Sequence, residues 1–504
     1  MAVQALASVD AALGWLAQHD VTGLCTDSRR VRPGDAFVAW PGYGVDGRQF
    51  VASARAAGAR ACLVEAEGVQ AFESLASEPA VATLADLKAC TGSLASRFYG
   101  SPSDDLEVVA ITGTNGKTST AWWVAQGLEA LGRRCAIVGT LGVGEPPSSE
   151  RTASLVPTGM TTPDPVTLHA ALRRFVREGV VACAIEATSI GLAEHRMTGT
   201  RIDTAVFTNF TLDHLDYHGT MTAYWHAKEQ LFDWPGLAAA VINVDAAQGE
   251  ALARSLRSRP MDLWTVSMHG DARLRASDVR HGDAGLSFDV QEGSQRATVH
   301  TALVGQYNVA NLLGVMAALR AGGAPLQDIA DVCAALTPVP GRLQRLCGSA
   351  DDPEVVIDYA HTPDALHKSL QALQPLALRR GGLLWCVFGC GGNRDAGKRP
   401  LMGRLAQQEA QRVVITSDNP RLEPPADIVR QIVAGLSDAD RPAAVIVDRR
   451  AAIEHAVAHA QPADVILIAG KGHEDYQDIG GVRQAFSDIQ AATAALRGRR
   501  GARS

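Results

Sequence analysis

The sequence predicts an α/β protein of three domains, and three observations carry that prediction. An apolar β-prone run, Val109-Ala110-Ile111, enters Thr112-Gly113-Thr114-Asn115-Gly116-Lys117-Thr118-Ser119 and continues into a helix-compatible stretch from Ala121. Five short apolar runs near the C-terminus alternate with helical intervals, the order of an open sheet with helices on its faces. Two segments rich in proline and glycine, Gly100-Ser101-Pro102-Ser103 and Pro338-Val339-Pro340-Gly341-Arg342, separate the regions. The expected domains are therefore a small mixed one over 1–102, a central α/β domain over 103–337 and a C-terminal open α/β, Rossmann-like domain over 338–504.

The bulk properties narrow the partners. A chain of 504 residues with a formal charge of -7 and no long basic run gives no reason to expect nucleic acid. It has no 18-residue apolar stretch and no basic region followed by an apolar run at its start, so neither membrane insertion nor export is expected. The cysteines Cys25, Cys62, Cys90, Cys135, Cys183, Cys333, Cys347, Cys386 and Cys390 are scattered, mostly in apolar runs. Only Cys386 and Cys390 lie close together, and no second pair completes a zinc site. A cytoplasmic monomer is expected. Basic charge is carried mostly by arginine, yet Lys117, Lys228, Lys398 and Lys471 all stand in motifs bearing glycine or histidine, which suggests sites that need an amine.

In the N-terminal region, Thr26-Asp27-Ser28-Arg29 precedes a Pro33-Gly34 turn, the strand Ala36–Trp40, and a second turn through Gly42, Gly44 and Asp46-Gly47. These turns are either ordinary surface or a polar ligand site. Leu106–Ile111 is the strand feeding the glycine loop. Backbone N–H groups of such a loop, and of the helix it opens, point at an anion, so the loop, shorter than the common Gly-x-x-x-x-Gly-Lys-Ser/Thr form, predicts a phosphate site, the alternative being an ordinary strand-helix turn. Lys117 would reach the β and γ phosphates, and the Thr118 hydroxyl would sit on magnesium.

Beyond it, Cys135–Thr140 reads as a strand, and its exit Gly142-Val143-Gly144-Glu145 does not complete a dinucleotide fingerprint. Thr161 and Thr162, before a helix from Val166, either cap that helix or hold substrate oxygens. Val181–Ile185 is a buried-strand pattern ending at Glu186, a carboxylate well placed for magnesium beside a phosphate loop. The strand Thr204–Thr208 leads to Asp213-His214-Leu215-Asp216-Tyr217-His218-Gly219, a concentration of acids and imidazoles. Tyr224 and Lys228 share a helical face, and Lys228 taken alone is most simply a surface lysine. Val241–Asp245 is a further strand, 262–302 an antiparallel edge or excursion, and Asn308 and Asn311 open a closing helix, where they either bond adenine or phosphate or cap the helix.

In the last region the strands Val355–Ile357, Leu383–Phe388, Arg412–Thr416, Ala443–Val447 and Val465–Ala469 alternate with helices. Four of them run into polar loops, Asp358–Asp364, Gly389–Arg399, Ser417–Glu423 and Gly470–Glu474. Ligands of such sheets bind beyond the strand carboxyl ends, so these loops predict an active-site rim.

Together these stretches resemble the Mur ligases, the ATP-dependent amide-forming enzymes that build the peptide of peptidoglycan. Thr112–Ser119 matches the family's phosphate loop, and the segments around His214, Lys228, Asp358–Asp364 and Gly470–Glu474 resemble the branch that adds the third residue. The motifs stand in family order over essentially the full length, from Asp27-Ser28-Arg29 to Glu474. The resemblance implies a UDP-muramoyl-binding domain over 1–102, a P-loop ATPase-like domain over 103–337 and a diamino-acid-binding domain over 338–504. It implies that ATP phosphorylates the D-glutamate γ-carboxylate of UDP-N-acetylmuramoyl-L-alanyl-D-glutamate, and that a diamino acid attacks the acyl phosphate. Asp418-Asn419-Pro420-Arg421 is the form found in relatives that choose meso-2,6-diaminopimelate. That amine has a second carboxylate for an arginine to grip bidentately, and lysine does not.

Site residues follow by resemblance. Lys117, Glu186, His214, Lys228 and His361 would be catalytic. Gly113, Thr114, Asn115, Gly116, Lys117, Thr118, Ser119, Asn308 and Asn311 would bind ATP. Ser28, Thr161, Thr162, Thr188, Glu194 and Arg196 would hold the UDP-muramoyl substrate, and Arg394, Asp418, Asn419, Pro420, Arg421, Gly470 and Glu474 the diaminopimelate. Thr118, Glu186, His214 and Lys228 would hold Mg2+, with Lys228 carbamylated by CO2. His361 and Asp358 would line the cleft between domains. Two positions depart from the pattern: Ile190 stands where relatives often carry histidine, and Met160 where some carry asparagine. The alternatives are another ligase of the Mur or folylpolyglutamate type, or a nucleotide-binding scaffold without catalysis.

Overall fold

The computed structural model describes residues 3–42, 44–78, 80–148, 151–282, 285–346, 348–349, 351–437 and 443–501. Cys347 lies outside them. Three separate sheets correspond to the three regions. The first has five strands in the order Gln4–Leu6, Val81–Leu84, Ala61–Glu65, Asp35–Ala39, Gly23–Cys25, all parallel. The strands Asp35–Ala39 and Ala61–Glu65 are almost wholly buried, as two-sided coverage by helices requires.

The central sheet has ten strands. Glu107–Thr112, which feeds the phosphate loop, lies between Thr204–Phe207 and Ala182–Glu186, parallel to both. This puts the strand ends at Thr112, Glu186 and Phe207 on one edge, and the loops leaving them converge there. Two apolar clusters cover its faces: Trp122, Trp123 and the helix Tyr307–Ala321 on one, Leu168, Leu172 and Phe175 on the other. The antiparallel edge expected over 262–302 exists as Leu274–Gly282, Gly285–Glu292 and Gln295–Thr301, whereas Asp262–Ser267 at its start pairs parallel with both of its neighbours. The stretch Gly142–Gly144 is also a strand, folded back antiparallel on Cys135–Gly139, which its glycines concealed in the sequence.

The third sheet runs Gln344–Leu346, Glu354–Asp358, Val465–Ala469, Leu384–Phe388, Arg412–Ile415, Ala443–Val445 and is parallel except for its first strand. The four expected rim loops leave the same edge of it. A hairpin not anticipated, Tyr476–Ile479 with Val482–Ala485, closes over that edge by bridging Arg421 to Ile479. The described cysteines are free thiols, and burial pushes that of Cys390 up to about 12. No helix among the described residues is long and apolar enough to cross a membrane.

Candidate active site

The glycine loop Gly113–Ser119 is tied to its neighbours. Asn115 N–H donates to Asn209 Oδ1 at 2.9 Å, and Thr208 and Asn209 side chains donate to Asn115 O at 2.6 and 3.0 Å. Gly116 has φ +85°, and a Cβ there would sit 2.3 Å from Asn311 Oδ1, so only glycine fits the turn into the helix Lys117–Ala130. Asn311 in turn donates to Asn308 Oδ1 at 3.0 Å. The Lys117 ammonium rests on the carbonyls of Gly113 and Thr114, at 2.9 and 2.8 Å. Burial lowers its pKa, opposed by Glu186 and Asp213.

Glu186, 2% exposed, is the hub of the adjoining strand end. Its Oε2 accepts from Thr118 Oγ1 at 2.9 Å and from Thr140 Oγ1 at 3.3 Å, and its Oε1 accepts from the Thr140 amide at 2.7 Å. Thr140 Oγ1 lies 3.1 Å from Thr161 Oγ1. Thr162 donates to Glu186 O at 2.7 Å and meets Thr188 Oγ1 at 2.8 Å, while Arg196 donates to Thr162 O at 3.0 Å. Glu194 pairs with Lys88 at 2.6 Å and accepts from Tyr217. Thr161, Thr162, Thr188, Arg196 and Glu194 thus form one hydroxyl-rich wall, and Ser28 is half-buried in the first domain beside the Arg29–Asp27 pair. Beside Ile190, His218 Nε2 meets Ser189 Oγ at 3.0 Å, so an imidazole reaches this wall from another loop.

Lys228 is not a surface lysine. It is 1% exposed, its Nζ donates to Gly113 O at 2.7 Å, and it lies 4.5 Å from the Tyr224 ring centroid. Burial, with Lys117 adding repulsion, drives its pKa well below the ordinary lysine value, which favours the neutral, nucleophilic amine. His214, in a left-handed turn at φ 52°, lies 3.6 Å from Asp213 Oδ2, and burial lowers its pKa.

The C-terminal domain meets this loop directly. Asn115 Nδ2 donates to Asp364 Oδ2 at 2.8 Å, and Lys368 donates to the same oxygen at 2.8 Å. From the linker, Arg342 reaches Thr118 Oγ1 at 3.4 Å and stacks over Tyr359 at 4.4 Å. His361 is exposed, with Nδ1 2.8 Å from Tyr359 O. Asp358 corrects the expectation. It is buried, and its oxygens accept from the Leu343 and Ala360 amides and from Ser369 Oγ at 2.7, 2.8 and 3.1 Å. It ties the linker to its own domain and does not line the cleft.

At the third sheet's edge, Asn419 Nδ2 donates to Glu474 Oε2 at 2.7 Å. Asp418 is 8% exposed, and its buried Oδ2 has no hydrogen-bond partner among the described residues. Arg421 donates from Nη1 to Gly392 O at 2.7 Å, and its backbone joins the unexpected hairpin at Asp478 and Gly480. Pro420 follows in the same loop, Gly470 packs against Asp418, and Arg394 is exposed on the neighbouring loop.

Among the described residues no three His, Cys, Asp or Glu side chains group to hold a metal. Magnesium typically takes one or two carboxylates together with substrate phosphates and water. Glu186 with the Thr118 hydroxyl suits an ion that arrives with a nucleotide.

Three family descriptions match along the chain: "Mur ligase family, catalytic domain" at 20–99, "Mur ligase middle domain" at 111–319, and "Mur ligase, glutamate ligase domain" at 341–472. The chain is a Mur ligase. Among relatives of this Mur ligase is a UDP-N-acetylmuramoyl-L-alanyl-D-glutamate--2,6-diaminopimelate ligase of Acidovorax sp. (strain JS42), 55% identical over 99% of both chains. Another of the same name, from Pseudomonas aeruginosa, is 46% identical over 94% of both. A solved structure of a ligase of that name is 35% identical, covers 95% of both chains and superposes with a TM-score of 0.66. A MurF ligase from Thermotoga maritima in complex with ADP shares the fold at a TM-score of 0.65 and 18% identity over 96% of this chain and 99% of that one.

Three residues at the site of this Mur ligase were not legible as such. Thr140 completes the Glu186 hub, Asp364 joins the phosphate loop to the third domain, and Arg342 reaches Thr118. Thr140 and Arg342 carry no local signal beyond a hydroxyl at a strand end and an arginine after Pro-Gly. Asp364 stood within the rim motif, without a partner to define it.

Proposed function

We propose that this Mur ligase uses ATP to join meso-2,6-diaminopimelate to the D-glutamate γ-carboxylate of UDP-N-acetylmuramoyl-L-alanyl-D-glutamate. The observation that carries the choice of amine is the loop Asp418–Arg421 bound to Glu474 at the third sheet's edge, where anions and a cation stand together for an amino-carboxylate end. The names of the relatives at 55% and 46% identity agree with it.

A carboxylate is a poor electrophile, so the γ-phosphoryl group of ATP first passes to its oxygen, giving an acyl phosphate. The diamino acid's nitrogen then adds to the acyl carbon, loses a proton, and phosphate leaves. Lys117 exchanges the loop carbonyls for phosphate oxygens and follows the charge that moves. Gly113–Ser119 supply backbone N–H groups, and Asn308 and Asn311 support the nucleotide. Thr118 and Glu186 would hold one magnesium ion, and His214 with Lys228 a second; when bound, the metal neutralises phosphate charge. For Lys228 the support is its buried, neutral-leaning amine, which can add to CO2 and lose a proton to become an anionic carbamate. The wall of Thr161, Thr162, Thr188, Glu194 and Arg196, with Ser28, would take the UDP-muramoyl substrate. Arg394, Asp418, Asn419, Pro420, Arg421, Gly470 and Glu474 would take the diamino acid, and His361 would face the junction where acyl phosphate and amine meet. Domain limits at 102 and 338, and a cytoplasmic location where ATP is at hand, belong to the same proposal.

The test is product formation by the purified protein with ATP, magnesium and the UDP-linked dipeptide, comparing meso-diaminopimelate with L-lysine by the mass of the UDP-linked product. Selective gain of diaminopimelate is expected. Selective gain of lysine would overturn the amine assignment, and no product with either would overturn the reaction.

A further inference from the structure

Lys471 belongs to none of the roles above, although it stands among the rim residues. Its side chain is 0% exposed, so it does not reach a ligand lying on the rim. Its Nζ donates to Asn419 Oδ1 at 3.1 Å and to Glu474 Oε2 at 2.9 Å, with the Tyr476 ring centroid 5.4 Å away. Asn419 Nδ2 donates to that same Glu474 oxygen at 2.7 Å, and its Oδ1 also accepts the Asp478 amide at 3.0 Å. The three side chains close a triangle.

The triangle has a definite sense. Two donors on one end of the Asn419 amide decide which end is oxygen, because an ammonium and a backbone N–H can only donate. Both donors to Glu474 fall on Oε2, which fixes the carboxylate plane and leaves Oε1 for a ligand's ammonium. The backbone under Lys471 is equally constrained. Gly470 has φ +119°, and a Cβ on it would lie 2.3 Å from Asp418 Oδ2; a Cβ on Gly472 would lie 2.8 Å from Gly341 O. The Glu474 amide closes the turn onto Lys471 O at 3.0 Å. Wedged between the Asp418 loop and the interdomain linker, Lys471 has no room to swing out. A buried ammonium persists only when paired, so it holds Asn419 and Glu474 as firmly as they hold it.

We infer that Lys471 is a positioning residue for amine recognition: it presets the Asn419 amide and the Glu474 carboxylate for the amino-carboxylate end of the diamino acid without touching it. Preset groups lose little freedom on binding, so affinity for the amine depends on Lys471 through its two partners. The inference rests on the diamino-acid reading proposed above.

The experiment is steady-state kinetics of the full chain with ATP, magnesium, the UDP-linked dipeptide and meso-diaminopimelate, for wild type, K471M, E474Q and the double variant. Loss of a charge-assisted hydrogen-bond pair predicts a KM for diaminopimelate raised on the order of 10- to 100-fold in K471M. The KM values for ATP and the UDP-linked dipeptide should stay within about 2-fold. Because Lys471 and Asn419 both act on the Glu474 carboxylate, the double variant should fall well short of the product of the two single effects. Multiplying effects, or all three KM values rising together, would overturn the inference. K471Q, which keeps an N–H donor of similar length, goes through the same cycle if K471M does not fold. A wild type that makes no diaminopimelate product refutes the parent reading; a wild type that makes it, with K471M retaining its KM, refutes only the role of Lys471.

Discussion

Gly116→Ala tests how the phosphate loop is built, and Gly132→Ala is its control. Both glycines flank the helix Lys117–Ala130 and both are left-handed, at φ +85° and +77°. An alanine in that region costs about 1 kcal/mol at either site. At Gly132 nothing lies within 4 Å of the new methyl group. At Gly116 it would sit 2.3 Å from Asn311 Oδ1 and 3.1 Å from Cγ, forcing Asn311 off the hydrogen bond it gives Asn308 at 3.0 Å. Losing that buried bond costs about 1–1.5 kcal/mol more. Gly116→Ala should therefore weaken ATP binding on the order of 10-fold or more, since about 1.4 kcal/mol is a factor of ten. Gly132→Ala should leave nucleotide affinity within about 2-fold and lower stability by only its backbone cost of about 1 kcal/mol. Calorimetric titration with ATP and magnesium, beside urea unfolding of both variants, reads the two quantities. Equal ATP affinities in the two variants would refute the claim that Asn311 against Gly116 shapes the loop.

Three further outcomes follow from buried groups. His169 is 0% exposed, its Nε2 meets Thr198 O at 3.0 Å, and burial lowers its pKa to about 4 from 6.5. Because the unfolded chain binds the proton more readily, His169 costs stability as pH falls from 6.5 through 4, up to about 3 kcal/mol; urea midpoints at pH 7 and 4.5 should converge more in His169→Gln than in wild type. The fully buried Arg449–Asp488 pair, 2.7 Å apart, should cost about 3–5 kcal/mol when Asp488→Ala strands the arginine, and adding Arg449→Met should recover part of that loss in denaturant titrations. Lys228→Met should lower kcat/KM on the order of 100-fold or more, since it removes the amine that CO2 would modify. Mass spectrometry of the intact wild type in bicarbonate should show the added carboxylate, absent from the variant; equal activity of the two would refute the role.

Much of the site was legible because short motifs carry their own mechanism. Gly113–Ser119 pointed to a phosphate loop only because an apolar strand precedes it and a helix follows, its spacing being shorter than the common form, and four polar loops after four strands define a rim once the sheet is parallel. Asp358 was misassigned because its motif says nothing about which oxygens its neighbours already occupy; the Leu343 amide at 2.7 Å decides that. The strands Gly142–Gly144 and Val482–Ala485 escaped notice because glycine-rich or fully exposed stretches lack the alternation that marks a half-buried strand.

The sequence by itself determined most elements of the central and C-terminal sheets, their α/β order, the glycine loop after Val109–Ile111 and the chemical types gathered near it, since each depends on residues a few positions apart. Only the tertiary structure decided which of those groups act together. Thr118 meets Glu186 across 68 residues, Lys228 reaches Gly113 O across 115, and Asn115 touches Asp364 across 249. Whether Lys228 is a surface cation or a buried amine, and whether Lys471 faces solvent or stands beneath Glu474, depends on desolvation. Desolvation is a property of the packed surroundings, which no local stretch of the chain contains.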